Sequence, residues 1–253
     1  MTSITAIILT HNEQSDIAAC IATLGWADEL LVFDSFSGDD TAQRARESGA
    51  RVVQHAFEDY ARQRNAAMDA ASTEWVFFVD ADERVSVELA AEVRAAIGGT
   101  EHGWAVPRHN FIFGKLTLWA GWFPDYQLRV LQRTSARYDL QRPVHEKVIL
   151  DGTQGTLTTP IIHLNYRDVA HFMTKQGRYA EIEARERVRR GQYPRTRTYL
   201  TMPAREFWRR FVSERGYKMG LHGLRLSILM AYYEFQTLVR VRRIANAGHD
   251  VEV

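Results

Sequence analysis

Two carboxylates, Asp80 and Asp82, are separated only by Ala81 and follow the apolar run Trp75–Val79. Like charges one residue apart at the end of a buried strand repel each other, so the pattern predicts a positively charged group beside them. Mg²⁺ binds one or two carboxylates together with phosphate oxygens and water, and seldom a full protein cage. An Asp-x-Asp pair at a strand end can therefore hold a divalent cation and leave room for a diphosphate.

The same residues allow two other interpretations. Asp82 or Ser86 could cap a helix that begins near Val87, and Glu83 would favour the positive end of that helix. A haloacid-dehalogenase-type phosphatase also has Asp-x-Asp after a strand. Its pattern has Thr or Val two places after the second aspartate, where this chain has Arg84. The phosphatase pattern therefore does not fit, whereas the helix cap stays open.

A third acidic residue, Asp34, ends the apolar part of LLVFDSFSGDDT. The residues after it are typical of a turn that leads into a helix capped by Asp39 or Asp40. Asp34 could instead hydrogen-bond a nucleobase or a ribose. Neither a Gly-x-Gly-x-x-Gly sequence nor a phosphate-loop signature occurs in the chain, which argues against a dinucleotide site and against a kinase.

The first hundred residues alternate between strand-like and helix-like patterns. This alternation predicts a parallel sheet with helices on both faces, which binds ligands beyond the carboxyl ends of its strands. Thr10, Asp34 and Asp80 end three of the expected strands. We expect strands at Ile4–Thr10, Leu30–Asp34, Arg51–His55 and Trp75–Asp80, and helices at Gln14–Leu24, Thr41–Glu47 and Tyr60–Ala71.

The rest of the chain changes character twice. Short strand-like runs rich in aromatic residues extend from Gly103 to His163, and helical spacing follows. Pro194 and Pro203 are expected to bracket a loop between helices. The expected helices are Val169–Arg190, Ala204–Arg215 and Leu221–Ile244.

Charge is distributed unevenly along the chain. Residues 1–174 contain 15 Lys and Arg against 23 Asp and Glu, whereas residues 175–243 contain 17 against 6. The basic C-terminal third is therefore expected to meet an anionic surface or ligand. No recognisable nucleic-acid-binding motif accompanies it, so nucleic acid is not the expected partner.

Composition limits the class of protein. At 253 residues, 45% hydrophobic and 25% charged, the chain is long enough for a globular α/β core with an appendage. The one cysteine, Cys20, allows neither an intramolecular disulfide nor a thiolate zinc cluster, and fits a reducing cytoplasm. The sequence has neither the pattern of a signal peptide nor an apolar run long enough for a transmembrane helix.

Taken in order, ITAIILTHNE, DELLVFDSFSGDDT, RQRNAAM and WVFFVDADERVS resemble family 2 glycosyltransferases. The resemblance continues through GWFPDYQLRVLQR, VHEKV, HLNYRD and FVSERGYKMGLHGLRLSILMAYYEF, and this longer set is similar to bacterial lipopolysaccharide core glycosyltransferases of the WaaE/KdtX type. It implies an α/β, nucleotide-diphospho-sugar transferase (GT-A-like) fold, mostly a parallel sheet flanked by helices, with a helical C-terminal extension. Residues 1–165 would form the catalytic domain, and 166–253 a basic helical region for acceptor or membrane.

The resemblance also implies roles for particular residues at the donor site. Thr10 and Asp34 would hold the uridine base, and Asp80 would hold the ribose. Asp82 would coordinate Mg²⁺ or Mn²⁺ on the diphosphate. Arg64 would lie near the nucleotide, although it could equally be a charge on a helix surface.

Asp125 falls where the family's Glu-Asp element supplies the catalytic base, although this chain has Pro124 in place of the usual glutamate. Glu146 is the second candidate for the base. Arg129 could pair with Asp125 or with a phosphate. His145 could complete the metal shell or bind diphosphate, but it could also be structural, like His163. Trp122 could stack on a sugar ring or belong to the core.

The expected protein is thus a cytoplasmic, metal-dependent, inverting glycosyltransferase. It would transfer a hexose such as glucose from a nucleotide sugar such as UDP-glucose to a lipid-linked saccharide, the inner core of lipopolysaccharide being the expected example. A transferase acting on a peptide or another glycan, and an inactive sugar-nucleotide-binding protein, are the alternatives. Peripheral contact with the anionic inner face of the membrane is expected through arginines such as Arg209, Arg210 and Arg215. The alternative is that the C-terminal helices pack on the catalytic domain and these arginines are only solvated.

Overall fold

A computed structural model describes residues 2–141 and 147–249 of the chain. The chain forms two compact units, one of Met1–His109 with Asp125–Leu164, the other of Asn110–Pro124 with Asn165–Val253. The expected division at residue 165 differs from this one because residues 110–124 belong to the second unit.

The first unit contains a mixed sheet with the strand order β3-β2-β1-β4-β8-β6. The first four strands of this order are parallel, and β8 is antiparallel to both β4 and β6. The sheet is therefore parallel on the side of the expected strands and antiparallel beyond them. The strands of the described residues are β1 (Ile4–Thr10), β2 (Glu29–Asp34), β3 (Arg51–Gln54), β4 (Trp75–Asp80), β5 (Glu83–Arg84), β6 (Gly103–Ile112), β7 (Lys115–Leu116), β8 (Tyr126–Gln132), β9 (Ala136–Tyr138), β10 (Val148–Leu150), β11 (Gln154–Thr156) and β12 (Ile161–Tyr166).

Helices cover this sheet on both faces. Alternate residues of β4 enter different hydrophobic clusters, Phe77 with Ile8 on one face and Phe78 with Ile7 on the other. A strand buried on both faces has no polar side to present, which explains the unbroken apolar run before Asp80. The helices of the first unit are α1 (Ile17–Ile21), α2 (Thr41–Glu47), α3 (Tyr60–Ala70) and α4 (Val87–Ala96).

Most element boundaries in the first unit agree with the sequence pattern, and α1 is the exception. The helix expected from Gln14 begins only at Ile17. Gln14 instead bonds the loop after β2, where its amide donates to Asp39 and its side-chain oxygen accepts from the amide of Asp40, both at 3.3 Å. At α4 the cap is Ser86, whose hydroxyl accepts the amide hydrogen of Leu89 at 3.2 Å.

The second unit is built on three helices, α5 (Val169–Arg189), α6 (Thr198–Trp208) and α7 (Leu221–His249). A π-helical turn, Arg209–Ser213, and a short 3₁₀ helix, Gly216–Met219, connect the last two. Both α5 and α6 pack along α7. The core of this unit is formed by Ile112, Tyr166, Phe172, Ala180, Leu226 and Tyr233.

The expected loop up to Pro203 is wrong from residue 198 onward, because α6 begins at Thr198 and contains Pro203. A proline has no N–H, so it removes the helical hydrogen bond to the carbonyl of Tyr199. Contacts with α7 stabilise the helix despite this loss, and the rings of Tyr199 and Phe235 lie 6.2 Å apart. Among the residues the structure describes, no helix is both long and apolar enough to cross a membrane.

Candidate active site

The carboxyl ends of β1, β2 and β4 bring three predicted site residues to one edge of the sheet. Thr10 is aligned with Asp34 in the β1–β2 pair, and Leu9 is aligned with Asp80 in the β1–β4 pair. The hydroxyl of Thr10 donates to Asp34 Oδ1 at 3.1 Å. The expected gathering of polar groups at this edge is therefore present.

Asp34 is fully buried and bonded on both oxygens. Oδ1 accepts from the hydroxyls of Thr10 and Ser37, while Oδ2 accepts from the amide of Ser37 at 3.0 Å and from Gln54 at 3.3 Å. Asp34 thus holds the turn after β2, in which Phe36 is exposed with a left-handed backbone, φ 54°. A direct contact between Asp34 and a nucleobase stays a prediction.

The positive group expected beside the carboxylates is Arg129, a buried residue of β8. Its Nη2 donates to Asp80 Oδ2 at 2.7 Å and to Glu83 Oε1 at 3.1 Å. Burial acts to raise the pKa of Asp80, but the guanidinium of Arg129 reverses this and holds that pKa below its usual value. Asp80 is therefore ionised and paired with an arginine of its own chain.

Glu83 is fully buried, and its Oε2 accepts the amide hydrogen of Asp80 at 2.9 Å. Burial raises the pKa of Glu83, and the charge of Asp80 raises it further, against the opposing charges of Arg129 and Arg108. The expectation that Glu83 serves the positive end of α4 is wrong, because its carboxylate is held inside the charged network.

Arg64 also belongs to this network. Its guanidinium lies over the rings of Phe78 and Tyr138, 5.0 and 5.4 Å from their centroids, and its Nη2 is 3.9 Å from Asp80 Oδ1. Its side chain is only 12% exposed, so the alternative of a charge on a helix surface is wrong. Arg64 lies beside the carboxylate proposed for the ribose, where a nucleotide would be bound.

Asp125, the candidate base, pairs with Arg108 and not with Arg129. Nε and Nη2 of Arg108 both lie 2.8 Å from Asp125 Oδ2, and Gln127 donates to Oδ1 at 2.8 Å. The β6–β8 pairing, which aligns Pro107 with Tyr126, places the two residues side by side. Arg108 Nη1 also lies 3.7 Å from Glu83 Oε1.

These contacts form one continuous series of alternating charges within the first unit. Arg129 joins Asp80 to Glu83, and Arg108 joins Glu83 to Asp125. The two ends of this series, Asp80 and Asp125, were predicted from the sequence, whereas Glu83 and Arg108 were not predicted as part of the site. Both depend on strand pairing between distant segments, which no local motif reports.

Asp82, the candidate metal ligand, lies against His163 of β12, with 3.4 Å between Oδ2 and Nε2. The antiparallel β5–β12 pair, in which His163 is aligned with Glu83, brings the imidazole there. A carboxylate and an imidazole are both ligands of Mn²⁺, and carboxylates suit Mg²⁺. Within residues 2–141 and 147–249, three or more His, Cys, Asp or Glu side chains do not gather as a metal site. Asp82 and His163 alone do not enclose a cation. This pair therefore fits a cation that the phosphates of a substrate would also coordinate.

Two predicted residues, His145 and Glu146, lie outside the described residues. Trp122 belongs to the second unit, where its ring is 6.0 Å from that of Tyr166 and the guanidinium of Arg210 lies 5.6 Å above it. Its stacking against a sugar stays a prediction.

A cavity of about 490 Å³ opens beside the network in the first unit. Three cationic side chains reach it, which makes it suitable for an anionic ligand such as a diphosphate. The side chains that line it include Arg64, Gln127, Arg129, Tyr138, Lys147 and Gln154.

Replacement of Arg129 by methionine should lower the free energy of unfolding by about 3 kcal/mol, because it takes the shared cation from the buried carboxylate of Glu83 and the partly exposed carboxylate of Asp80. Protonation of Glu83 would offset part of this loss. The matched control is Arg137→Met, which removes an exposed pair with Asp69 and should cost about 1 kcal/mol or less. Urea unfolding measures both, and equal losses in the two variants would contradict the buried network.

The fold agrees with that of known proteins. The fold is GT-A-like, and the family model of glycosyl transferase family 2 matches residues 5–143. The chain belongs to glycosyl transferase family 2.

Similar proteins extend over nearly the whole chain. The lipopolysaccharide core biosynthesis glycosyltransferase LpsC of Rhizobium meliloti is 27% identical over 251 residues, which cover 94% of this chain and 91% of that protein. An uncharacterised glycosyltransferase of Rickettsia conorii is 26% identical, with coverage of 98% and 93%. Among solved structures, the mannosyltransferase of Pyrobaculum calidifontis in complex with GDP-Man and Mn²⁺ has a TM-score of 0.54 at 14% identity, covering 94% of this chain and 86% of that one. At that identity the likeness shows the fold alone.

Proposed function

We propose that this protein is a metal-dependent, inverting glycosyltransferase that moves a hexose, glucose from UDP-glucose, onto a lipid-linked saccharide such as the inner core of lipopolysaccharide. The observation that carries the proposal is the charged network that links the Asp-x-Asp pair at the end of β4 to Asp125. The similarity to LpsC, a lipopolysaccharide core biosynthesis enzyme by name, supports the acceptor class.

Inversion requires a single displacement at the anomeric carbon. The acceptor hydroxyl forms the new bond, the bond to the diphosphate breaks, and a carboxylate takes the proton of the hydroxyl. Such a base contributes roughly 10²–10⁴-fold to the rate. Asp125 takes this role, held by Arg108 and Gln127, and Glu146 is the second candidate.

The donor is bound at the carboxyl ends of the parallel strands. Thr10 and Asp34 support the uridine end, Asp80 the ribose, and Arg64 and Arg129 the diphosphate side. Asp82 would hold a divalent cation, Mg²⁺ or Mn²⁺, with His163 or His145 beside it. When bound, such a cation stabilises the negative charge of the departing nucleoside diphosphate.

A lipid-linked acceptor would require the enzyme to work at the inner face of the bacterial inner membrane. We propose peripheral contact with anionic lipid at that face. The basic balance of residues 175–243 supports this contact.

The test begins with thermal-shift measurements of the protein with UDP-, GDP- and ADP-sugars and Mn²⁺. A UDP-hexose should stabilise the protein most. Transfer from that donor to purified lipopolysaccharide that lacks the outer part of its core should then give a product whose new anomeric centre is inverted, as read by NMR. A product with the donor's anomeric configuration, or sugar transfer to peptide but not to lipopolysaccharide, would contradict the proposal.

A further inference from the structure

The longest helix of the second unit presents an apolar stripe to solvent. Five large side chains of α7 recur at spacings of three, four or seven residues, which places them on one face of a helix. All five are exposed to solvent, although the ring of Phe235 also lies 6.2 Å from that of Tyr199. They are Leu221 (83% exposed), Ile228 (52%), Tyr232 (46%), Phe235 (39%) and Val239 (41%).

The same stripe carries arginines and no acid. Arg225 and Arg242 occupy its remaining helical positions, and both are exposed. Among the residues that the structure describes, neither is paired with a carboxylate. Glu234, the acidic residue of α7, is turned to Arg187 at 2.8 Å. An apolar stripe with unneutralised cations at its two ends is unusual for a surface that meets only water.

Helix α6 has an exposed row of its own, two members of which, Ala204 and Trp208, line a cavity with Arg187 and Glu234. No residue of α6 is buried, and Leu200, Ala204 and Trp208 form an exposed row with the spacing of one helix face. Leu200 is 78% exposed and Trp208 is 62% exposed. Arg197 and Arg205 flank this row, and within the described part of the chain neither has a carboxylate partner.

From this arrangement we infer that the exposed stripe of α7 is the surface by which the protein docks onto an anionic lipid bilayer. The inference rests on the proposed function only in that a lipid-linked acceptor requires access to a membrane. Aliphatic and aromatic side chains of such a stripe enter the boundary between headgroups and acyl chains, and arginines reach the lipid phosphates.

Charge favours lipid over a second copy of the chain. Antiparallel pairing of two α7 stripes would match Ile228 with Val239 and Tyr232 with Phe235, but it would also set Arg225 against Arg242. Parallel pairing would set each arginine against its own copy. Either dimer would oppose like charges without an acid in the stripe to relieve them, whereas anionic headgroups neutralise both arginines.

The arginines of the α7 stripe are not the ones first expected to meet the membrane. Arg209 and Arg210 are both bonded to Glu206, and Arg210 Nη1 donates to the carbonyl of Ala120 at 2.7 Å. They are neutralised within the second unit. The expectation that Arg209 and Arg210 supply the membrane charge is therefore replaced by Arg225 and Arg242. Arg215 lies 6.0 Å over the ring of Trp119, and its contact with a membrane stays a prediction.

The experiment is flotation of the full chain with vesicles of phosphatidylcholine, with and without phosphatidylglycerol, at low and high salt. We expect binding only to the anionic vesicles at low salt. The double variant Arg225→Gln/Arg242→Gln should weaken it by about tenfold or more, since each basic residue near anionic lipid contributes about fivefold. Ile228→Ser/Val239→Ser should weaken it by about tenfold through lost apolar insertion.

Two matched controls accompany these variants. Arg189→Gln/Arg190→Gln removes the same charge from two exposed arginines at the C-terminal end of α5 that are paired with Glu186, and Ile149→Ser removes an exposed apolar side chain of the first unit. Both should bind as the wild type does. A wild-type protein that ignores anionic vesicles, or controls that lose as much binding as the stripe variants, would overturn the inference.

Analytical sedimentation tests the other possible occupant of the stripe, a second copy of the chain. A wild-type dimer that becomes monomeric in Ile228→Ser/Val239→Ser would identify the stripe as a contact between copies and overturn lipid docking. Failure of the proposed function is seen separately, because UDP-sugar binding and transfer to a lipid-free core oligosaccharide need no vesicle. Stripe variants should keep both of those activities.

Discussion

Replacement of Asp82 by asparagine is expected to lower sugar transfer by roughly 10²–10³-fold while the protein remains folded. The side chain keeps its size and its place beside His163, but it loses the negative charge that a divalent cation requires. Asp80 is a poor replacement, because its charge is already paired with Arg129, which donates to Oδ2 at 2.7 Å. We therefore expect the pair to be divided, with Asp80 held by an arginine and Asp82 holding a cation.

The measurement is UDP-glucose turnover with Mn²⁺ or Mg²⁺, with EDTA, and with metal restored after EDTA. Asp69→Asn, an exposed carboxylate on α3, is the control for a lost charge. His163→Gln removes the imidazole beside Asp82 and should raise the Mn²⁺ concentration needed for half-maximal rate by about 10–100-fold. Full activity of the wild type in excess EDTA, or of Asp82→Asn at any metal concentration, would be incompatible with a metal at this position.

The sequence was sufficient to place the candidate donor residues at one edge of the sheet. Strands buried on both faces read as continuous apolar runs, and helices between them imply parallel neighbours whose carboxyl ends meet. Thr10, Asp34 and Asp80 meet for that reason. The turn after Asp34 and the cap at Ser86 were also readable, since both depend only on residues a few positions apart.

The partners of the carboxylates were not readable in this way. Arg129 reaches Asp80 because β8 lies antiparallel to β4, and Arg108 reaches Asp125 because β6 lies beside β8. Pairings across such distances are set by packing of the whole sheet and leave no local pattern. Glu83 illustrates the difficulty, because its position before α4 suggests a helix-end charge although its carboxylate is fully buried.

In the C-terminal helices, the local pattern was readable from the sequence but the ion pairing was not. Helical spacing and excess arginine were visible in the sequence, but the arginines that are neutralised were not distinguished from those that are not. Glu206 precedes Arg210 by four residues, a spacing at which a helical ion pair could have been expected. Pro203 was expected to end a loop, but it lies inside α6, because contacts along α7 outweigh the one hydrogen bond that the proline removes.

Asp125→Asn is expected to bind UDP-glucose with near-normal affinity yet to lower transfer by about 10²-fold or more. The substitution should leave the local structure intact. An asparagine Oδ1 can accept from Arg108 as Oδ2 does now, and its amide can donate to Gln127 once the Gln127 side-chain amide rotates. What disappears is the group that accepts the proton of the acceptor hydroxyl.

The comparison that decides the assignment is Glu146→Gln, since Glu146 is the other candidate base. Calorimetric titration with UDP-glucose measures donor affinity, and single-turnover transfer to the acceptor measures chemistry. Asp151→Asn, an exposed acid of the first unit, serves as the matched control and should behave as the wild type does. If Glu146→Gln binds donor normally and loses transfer while Asp125→Asn keeps it, the two roles must be exchanged. Arg108 would then hold Asp125 as a structural ion pair alone. A loss confined to Asp125→Asn would instead make the network from Asp80 to Asp125 the link between donor and base, with Glu83 and Arg108 as its positioning residues.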